Sequence, residues 1–330
     1  MLLLLTIIVV ALVFDYTNGF HDTANAIATS VSTRALSPRA AVIMAAGLNL
    51  FGAMLYTGVA KTVGEGLVDT DLVTLELVLA ALDGAVTWNF ITRYFGIPSS
   101  SSHALFGGLI GAMIAAAGVD GVLWDGVFEK VIVPMVGSPL IGFVCAWVLM
   151  TSLIWLVRRR PPGPVNRWFR RLQPISAGFM AFSHGGNDAQ KTMGIITLAL
   201  YASGEIETFT IPTWVKFACA LAMAAGTYSG GWRIIHTLGS KVIKLDPIHG
   251  FAAETSAASV IQLATHFGIP VSTTHTITAA IMGVGSTQRL SAVRWGVAGN
   301  IVTAWILTLP AAGLVGAAVY LAGEALRSLF

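Results

Sequence analysis

Charged side chains are scarce in this chain of 330 residues, because Asp, Glu, Lys and Arg together make up only 11% of it. An ordinary soluble domain carries roughly 25% of such residues. Hydrophobic residues reach 55% and the mean hydropathy is +0.76, which excludes an ordinary soluble protein. Apolar stretches near the roughly 20 residues that a helix needs to cross a bilayer recur from end to end, without the short alternating segments of an outer-membrane barrel. The composition therefore predicts an all-α polytopic membrane protein.

Cysteine is almost absent as well, since Cys145 and Cys219 are the only two and both lie in apolar runs. A free cysteine there behaves as a small hydrophobic residue, so no disulfide, thiolate metal site or cofactor is expected. Lys and Arg are missing ahead of the first apolar run, Met1 to Phe14, which we interpret as the first span and not as a secretory signal. The net charge of +3 comes from basic residues in loops, which indicates membrane topology and no nucleic-acid partner.

One segment is rich in charge, unlike the rest of the chain. Residues 158–171, "RRRPPGPVNRWFRR", contain six arginines, three prolines and no acid. Proline and glycine are typical of helix breaks, and an excess of arginine is typical of cytoplasmic loops. We therefore predict a cytoplasmic linker that breaks the helices on both sides of it and separates residues 1–157 from residues 172–330.

The two parts on either side of this linker contain matched motifs. "YTNGFHDTANA" (16–26) aligns with "FSHGGNDAQKT" (182–192) at an offset of 188 − 22 = 166, and "YFGIPSSSSHALFGGLIGAM" (94–113) aligns with "HFGIPVSTTHTITAAIMGVG" (266–285) at 275 − 103 = 172. Two motifs in the same order at nearly the same offset indicate an internal duplication. Loop charges predict about five crossings in each half, an odd number, with both termini outside. The repeats are therefore predicted to be inverted, a common construction of secondary transporters.

The "GIPSSSSH" and "GIPVSTTH" motifs predict broken or re-entrant helices. Glycine and proline end one helix, and hydroxyl residues follow where the next helix must begin. Helix N-termini bind anions through free N–H groups without any fixed positive charge. The alternative is that these hydroxyls serve only as N-caps. The candidate anion-binding hydroxyls are those of Ser100, Ser101, Ser102, Ser272, Thr273 and Thr274.

The first motif also places a carboxylate in an otherwise apolar chain. Asp22, Asn25 and Thr29 are spaced to lie on one helix face, where their oxygens suit a small cation, and Asp188 is the matched aspartate. An aspartate at the centre of an inserted helix costs roughly 2.5 to 3.5 kcal/mol, so a cation or a proton should compensate it. The alternative is a structural ion pair.

Other polar residues in or near the spans receive no firm role. An ion pair of Asp83 with Arg93 is one structural expectation, and Asp15 and Glu254 are further acids within the apolar segments. The motifs also contain four histidines without a metal-hydrolase spacing. These are His21, His103, His184 and His275.

The quoted motifs, together with "AETSAAS", resemble the inorganic phosphate transporter (PiT) family over essentially the whole chain. The resemblance implies a homodimer in the lipid of a bacterial inner membrane, which is not an enzyme and takes up inorganic phosphate with sodium or protons. It implies that Ser101, Ser102, Thr273 and Thr274 bind phosphate. It implies coupling-cation residues at Asp22, Asn25, Asn187 and Asp188, with sodium, if it is the co-transported ion, at Asp22, Asn25 and Asp188.

One position departs from the family pattern. Sodium-coupled members resembling this chain have Asp–x–x–Asn in both halves, but the second half here reads Asp188–Ala189–Gln190–Lys191. The Lys191 ammonium either replaces a second sodium ion or binds phosphate as a point charge. We therefore favour proton coupling. A sulfate permease of the same family and an anion channel with two re-entrant half-helices are the alternatives, and the duplicated aspartates argue against the channel.

Overall fold

The computed structural model describes residues 1–329, which fold into helices joined by loops without a regular β-strand. Thirteen α-helices occur in this part of the chain. They are α1 (Leu2–Ser32), α2 (Pro38–Leu55), α3 (Gly58–Glu65), α4 (Leu75–Phe95), α5 (Ser101–Ala117), α6 (Trp124–Val127), α7 (Val133–Val157), α8 (Pro162–Ala202), α9 (Thr213–Ser229), α10 (Trp232–His236), α11 (Pro247–His266), α12 (Thr273–Ser286) and α13 (Trp295–Arg327).

Five helical segments of the described chain are long and apolar enough to cross a membrane. The longest continuous one, Trp124–Val157, joins α6 and α7 through a π-helical turn, and only 17% of its most apolar window is buried inside the protein. An apolar helix that the protein does not bury is suited to contact with lipid. The predicted class, an all-α polytopic membrane protein, is therefore confirmed. The other four segments are α1, α2, α4 and α13.

The first span is longer than the sequence predicts. Met1 to Phe14 was expected to end before the "GFHDTANA" motif, but α1 continues as one helix to Ser32. Gly19 does not break it, because this glycine packs against the backbone of α9 at Met223, and Gly226 of α9 packs in return against Tyr16. Small residues allow such close helix approach. The motif is therefore helical.

The predicted helix break on the C-terminal side of the linker is wrong. α7 ends at Val157, but α8 already begins at Pro162, so most of the arginine-rich segment is helical. Pro161 is the N-cap of α8. A proline in the first helical turn lacks an N–H that would have no helical partner there, so Pro162 and Pro164 are tolerated.

The predicted breaks at the two "GIP" motifs are confirmed. α4 ends at Phe95, and Gly96 follows with φ +67°; α11 is likewise followed by Gly268 with φ +68°. Left-handed backbone of this kind favours glycine. The helices that follow, α5 and α12, have 17 and 14 residues, which is roughly 26 and 21 Å at 1.5 Å per residue. Both are shorter than the hydrocarbon core of about 30 Å.

Two hydrophobic clusters form the interior, and α1 and α8 run through both. The first cluster takes apolar residues from the beginning of α1 and the end of α8, and the second takes them from the end of α1 and the beginning of α8. α5 packs between α4 and α13, and α12 packs between α11 and α7. The polar middle segments of α1 and α8 consequently lie between the two apolar clusters, where α5 and α12 begin.

Candidate functional site

The N-terminus of α12 connects the two long helices. Thr273 Oγ1 donates to Asp188 Oδ2 at 2.8 Å, and Thr274 Oγ1 donates to Asp22 Oδ1 at 3.3 Å. Asn25 Nδ2 donates to both hydroxyl oxygens, at 3.2 and 2.9 Å. All five residues are buried. The threonine hydroxyls predicted as anion donors thus give their protons to the two aspartates, and Asn25 Oδ1 is left buried without a hydrogen-bond partner.

Lys191 is the buried cation of this site, with 1% of its surface exposed. Its ammonium forms an ion pair with Asp188, donates to Ser102 Oγ at 2.5 Å and donates to the carbonyl oxygen of Val271 at 2.7 Å. An ammonium has three donors, and all three are used. Lys191 therefore compensates Asp188 and has no donor left for an anion in this arrangement.

Three side chains form a cluster of metal-ligating type. One ligand atom each from Asp22, His184 and Asp188 lies within 4.8 Å of the others. Asn49 Oδ1 only accepts, so His184 Nδ1, 2.9 Å away, carries a proton. Nε2 of the same ring lies 3.1 Å from Asp188 Oδ2. A lone pair and a carboxylate oxygen repel each other at this distance, so a proton on Nε2 or a bound cation stabilises the pair. A histidine that binds a metal ion is expected to donate its other ring N–H in this way, which fixes the orientation of the ring.

Asp22 also has a histidine beside it. His21 Nδ1 lies 2.8 Å from Asp22 Oδ1, and Nε2 lies 3.1 Å from Thr92 Oγ1 on α4. Ser99 Oγ is 3.5 Å from the same nitrogen. Each aspartate thus has one imidazole nitrogen within hydrogen-bond distance, but only Asp188 also has an ammonium.

The hydroxyls of the first "GIP" motif are engaged differently from those of the second. Ser100 is the N-cap of α5 and accepts from His103 N at 3.2 Å, and Ser272 caps α12 through His275 N at the same distance. For these two residues the capping alternative describes the observed contacts. Ser101 Oγ is buried without a partner. Ser102 accepts from Lys191 and keeps its own hydroxyl proton available.

Two predicted coupling residues lie apart from the carboxylate cluster. Thr29 Oγ1 donates to Glu254 on α11 and not to Asp22, and its predicted coupling role stays a prediction. Glu254 is also bonded by Ser176 and Gln173 of α8. Asn187 Nδ2 donates to Thr265 Oγ1 at 2.9 Å, and its Oδ1 accepts from Val271 N. Asn187 therefore fixes the loop that presents Val271 to Lys191.

The remaining polar residues include one expected ion pair and two histidines that received no role. Asp83 and Arg93 form no ion pair within residues 1–329, because the Arg93 guanidinium lies 3.7 Å from the centroid of the Phe20 ring. His103 and His275 have ring centroids 4.7 Å apart, and His275 stacks on Trp305 at 3.9 Å. These two histidines do not reach the aspartates.

The sequence reasoning missed how His184 acts. The residue was noted without a role, although its spacing of four residues from Asp188 places both on one face of α8. That spacing was a usable signal. Asn49 carried no such signal. Val271 lies in the quoted "GIPVSTTH" motif, but nothing in the sequence indicates that its carbonyl meets Lys191, 80 residues away in the chain.

The known proteins that resemble this chain are transporters and not enzymes. The profile described as "Phosphate transporter family" matches residues 18–165 and again residues 157–316. A probable low-affinity inorganic phosphate transporter of Rhizobium meliloti is 53% identical over 98% of this chain and 97% of its own length. A protein of the same description from Bacillus subtilis is 48% identical over 97% of this chain and 97% of its own length. A solved structure described as "The sodium-dependent phosphate transporter" has a TM-score of 0.90 and 26% identity, covering 98% of this chain and 100% of the other.

Proposed function

The chain belongs to the phosphate transporter family, and on that premise we propose that it is a secondary active symporter that takes up inorganic phosphate together with protons. Phosphate follows from the family and from the descriptions of the relatives. The coupling ion is inferred from the contacts of this chain's own side chains.

The phosphate is proposed to bind where α5 and α12 begin. The first α-helical hydrogen bonds there are Ala104 N to Ser100 O and Thr276 N to Ser272 O, so the preceding N–H groups have no partner in their helices. The unpaired hydroxyl of Ser101 and the available hydroxyl proton of Ser102 lie on the same turn. Helix N-termini with hydroxyl donors suit a tetrahedral anion. In this arrangement Thr273 and Thr274 contribute their N–H groups, because their hydroxyls bind the aspartates.

The observation that carries proton coupling is the saturation of the Lys191 ammonium. It occupies the place beside Asp188 that a second sodium ion would need, and its three bonds hold it there. Two carboxylates and one ammonium leave one negative charge in a buried site. One proton, shared by the Asp22 and His184 groups, neutralises that charge, and this meets the need to compensate intramembrane carboxylates.

Sodium is the rival coupling ion, since the similar solved structure is described as sodium-dependent. Asp22, Asn25 Oδ1 and His184 Nε2 would supply its ligands. Sulfate is the rival anion, because helix N-termini bind either tetrahedral ion. As with the family, we also propose a homodimer of inverted repeats, 1–157 and 172–330, with both termini outside and the basic segment 158–171 in the cytoplasm.

The test is uptake of labelled phosphate into proteoliposomes under separately imposed proton and sodium gradients. We expect accumulation above equilibrium with the proton gradient alone, no stimulation by sodium and weak competition by sulfate. Accumulation that requires sodium would refute proton coupling. Flux that never exceeds equilibrium under either gradient would instead indicate a channel.

A further inference from the structure

A cavity of about 650 Å³ lies between the end of α4 and the beginning of α10. Its wall includes Arg93, Tyr94, Trp232 and Arg233. A neighbouring cavity of about 390 Å³ shares Tyr94, Trp232 and Arg233 and adds Lys241 to the basic groups. No acidic residue lines either cavity. The combined space is therefore positive and rimmed by aromatic rings.

The two arginines in this cavity have no carboxylate partner within residues 1–329. Arg233 donates to the carbonyl oxygen of Tyr94 and lies 5.6 Å from the centroid of that ring. The Arg93 guanidinium lies over the face of Phe20 and donates no hydrogen bond to residues 1–329. Most guanidinium N–H donors of this pair are thus without an acceptor among the described residues. A guanidinium binds the oxygens of a phosphate group through paired N–H donors in one plane, a geometry that an ammonium lacks.

Two contacts link the wall of this cavity to the residues beside Asp22. Phe20, on which Arg93 stacks, precedes His21 and Asp22 in α1, and it is 1% exposed. Thr92, the residue before Arg93, contacts His21 Nε2 at 3.1 Å. The cavity therefore shares α1 and α4 with the surroundings of Asp22.

We propose that this cavity is a second anion site, in which Arg93 and Arg233 bind the oxygens of a phosphate group. Two sources can supply that group. One is inorganic phosphate entering or leaving the central site, which rests on the proposed function. The other is the headgroup of an anionic lipid, since Tyr94 is 69% and Trp232 49% exposed, and aromatic residues beside basic pockets are typical of the membrane interface.

Binding to the purified full chain in detergent tests the site without transport. One arm titrates inorganic phosphate, and the other titrates phosphatidylglycerol against phosphatidylcholine in phosphate-free buffer, with bound ligands counted by native mass spectrometry. We expect one ligand, phosphate or phosphatidylglycerol, to bind the parent and to bind the double variant Arg93→Gln/Arg233→Gln at least about tenfold more weakly, about 1.4 kcal/mol. The arm in which this occurs identifies the source.

Two control variants test whether a loss of binding has a cause other than the loss of the proposed site. Arg158→Gln removes another arginine that lies over an aromatic ring, 4.8 Å from Trp155, but that residue lines neither cavity. It should bind both ligands as the parent does. Arg93→Lys/Arg233→Lys keeps the charge without the planar N–H donors, so we expect it to bind more weakly than the parent and more tightly than the glutamine double variant. Thermal unfolding of all variants in the same detergent reports whether a loss of binding follows a loss of fold.

Parent-like binding of both ligands by the glutamine double variant would overturn the second site. An equal loss of binding in Arg158→Gln would also overturn it, because it would mean that the ligand is attracted to positive charge in general. Failure of the proposed symport is recognised separately, because it would show as absent gradient-driven uptake by the parent while these binding measurements remain unaffected.

Discussion

Asp22 and Asp188 occupy matched motifs but meet different surroundings. Each has an imidazole nitrogen within 3.1 Å and accepts from one threonine of α12. Only Asp188 has an ammonium, that of Lys191. Asp188 is therefore compensated by an ammonium, whereas Asp22 forms no ion pair with Lys or Arg among residues 1–329. A duplicated sequence thus folds into a site whose two aspartates have different charged neighbours.

Neutralising each aspartate is the strongest test of this difference. Asp188→Asn and Asp22→Asn should both abolish gradient-driven accumulation of phosphate, because the amide keeps the shape and removes a charge of the proposed coupling site. Their stabilities should differ. Asp188→Asn leaves Lys191 buried without its carboxylate and should cost about 3 to 5 kcal/mol in free energy of unfolding, whereas Asp22→Asn should cost less.

Uptake in proteoliposomes and chemical denaturation in detergent measure the two effects. The double variant Asp188→Asn/Lys191→Met is the control, since removing both charges should recover most of the lost stability. Equal destabilisation by the two single substitutions would mean that Asp22 has a fixed partner too, and the comparison would fail.

Lys191→Asn makes the two halves alike, with Asp–x–x–Asn in each. If the ammonium stands in place of a sodium ion, the variant should gain sodium-dependent stabilisation that the parent lacks. A ligand that binds only the folded state contributes about 2.7 kcal/mol at a hundred times its Kd. Thermal unfolding in sodium against choline chloride measures this gain. A variant that instead loses phosphate affinity without any sodium response would assign Lys191 to the anion.

Removing the hydroxyls of Ser102 and Thr274 should give a smaller difference, in phosphate affinity. Ser102→Ala removes a proton available to the anion, whereas Thr274→Ala removes one that Asp22 already accepts. Loss of a hydrogen bond to a charged group costs about 1.5 to 3 kcal/mol. Equilibrium phosphate binding should therefore weaken by this amount for Ser102→Ala and by less for Thr274→Ala. The reverse order would place the anion on the α12 side.

The two capping serines should behave alike and show the smallest effects. Ser100→Ala and Ser272→Ala each remove an N-cap with the same 3.2 Å contact. Each should lower the free energy of unfolding by about 0.5 to 2 kcal/mol while phosphate affinity stays near that of the parent. If phosphate binding weakened by more free energy than unfolding, these two hydroxyls would bind the anion as the sequence predicts.

The helix breaks were predictable because their causes are local. Gly96 and Gly268 adopt positive φ, and the serines that follow cap the next helix, all within a few residues of chain. The continuation of α1 through its polar motif was not predictable in the same way. It depends on α9 packing against Gly19, a contact between residues about 200 positions apart.

The sequence by itself determined the membrane class, the matched motifs and the presence of a carboxylate in each, because hydropathy and spacing are properties of the chain. Only the tertiary structure decided which charges meet. Thr29 points to Glu254 although its spacing suits Asp22, and Arg93 lies over Phe20 although Asp83 was the expected partner. Spacing along a helix fixes which face a side chain occupies, but the packing of other helices against that face decides what it contacts there.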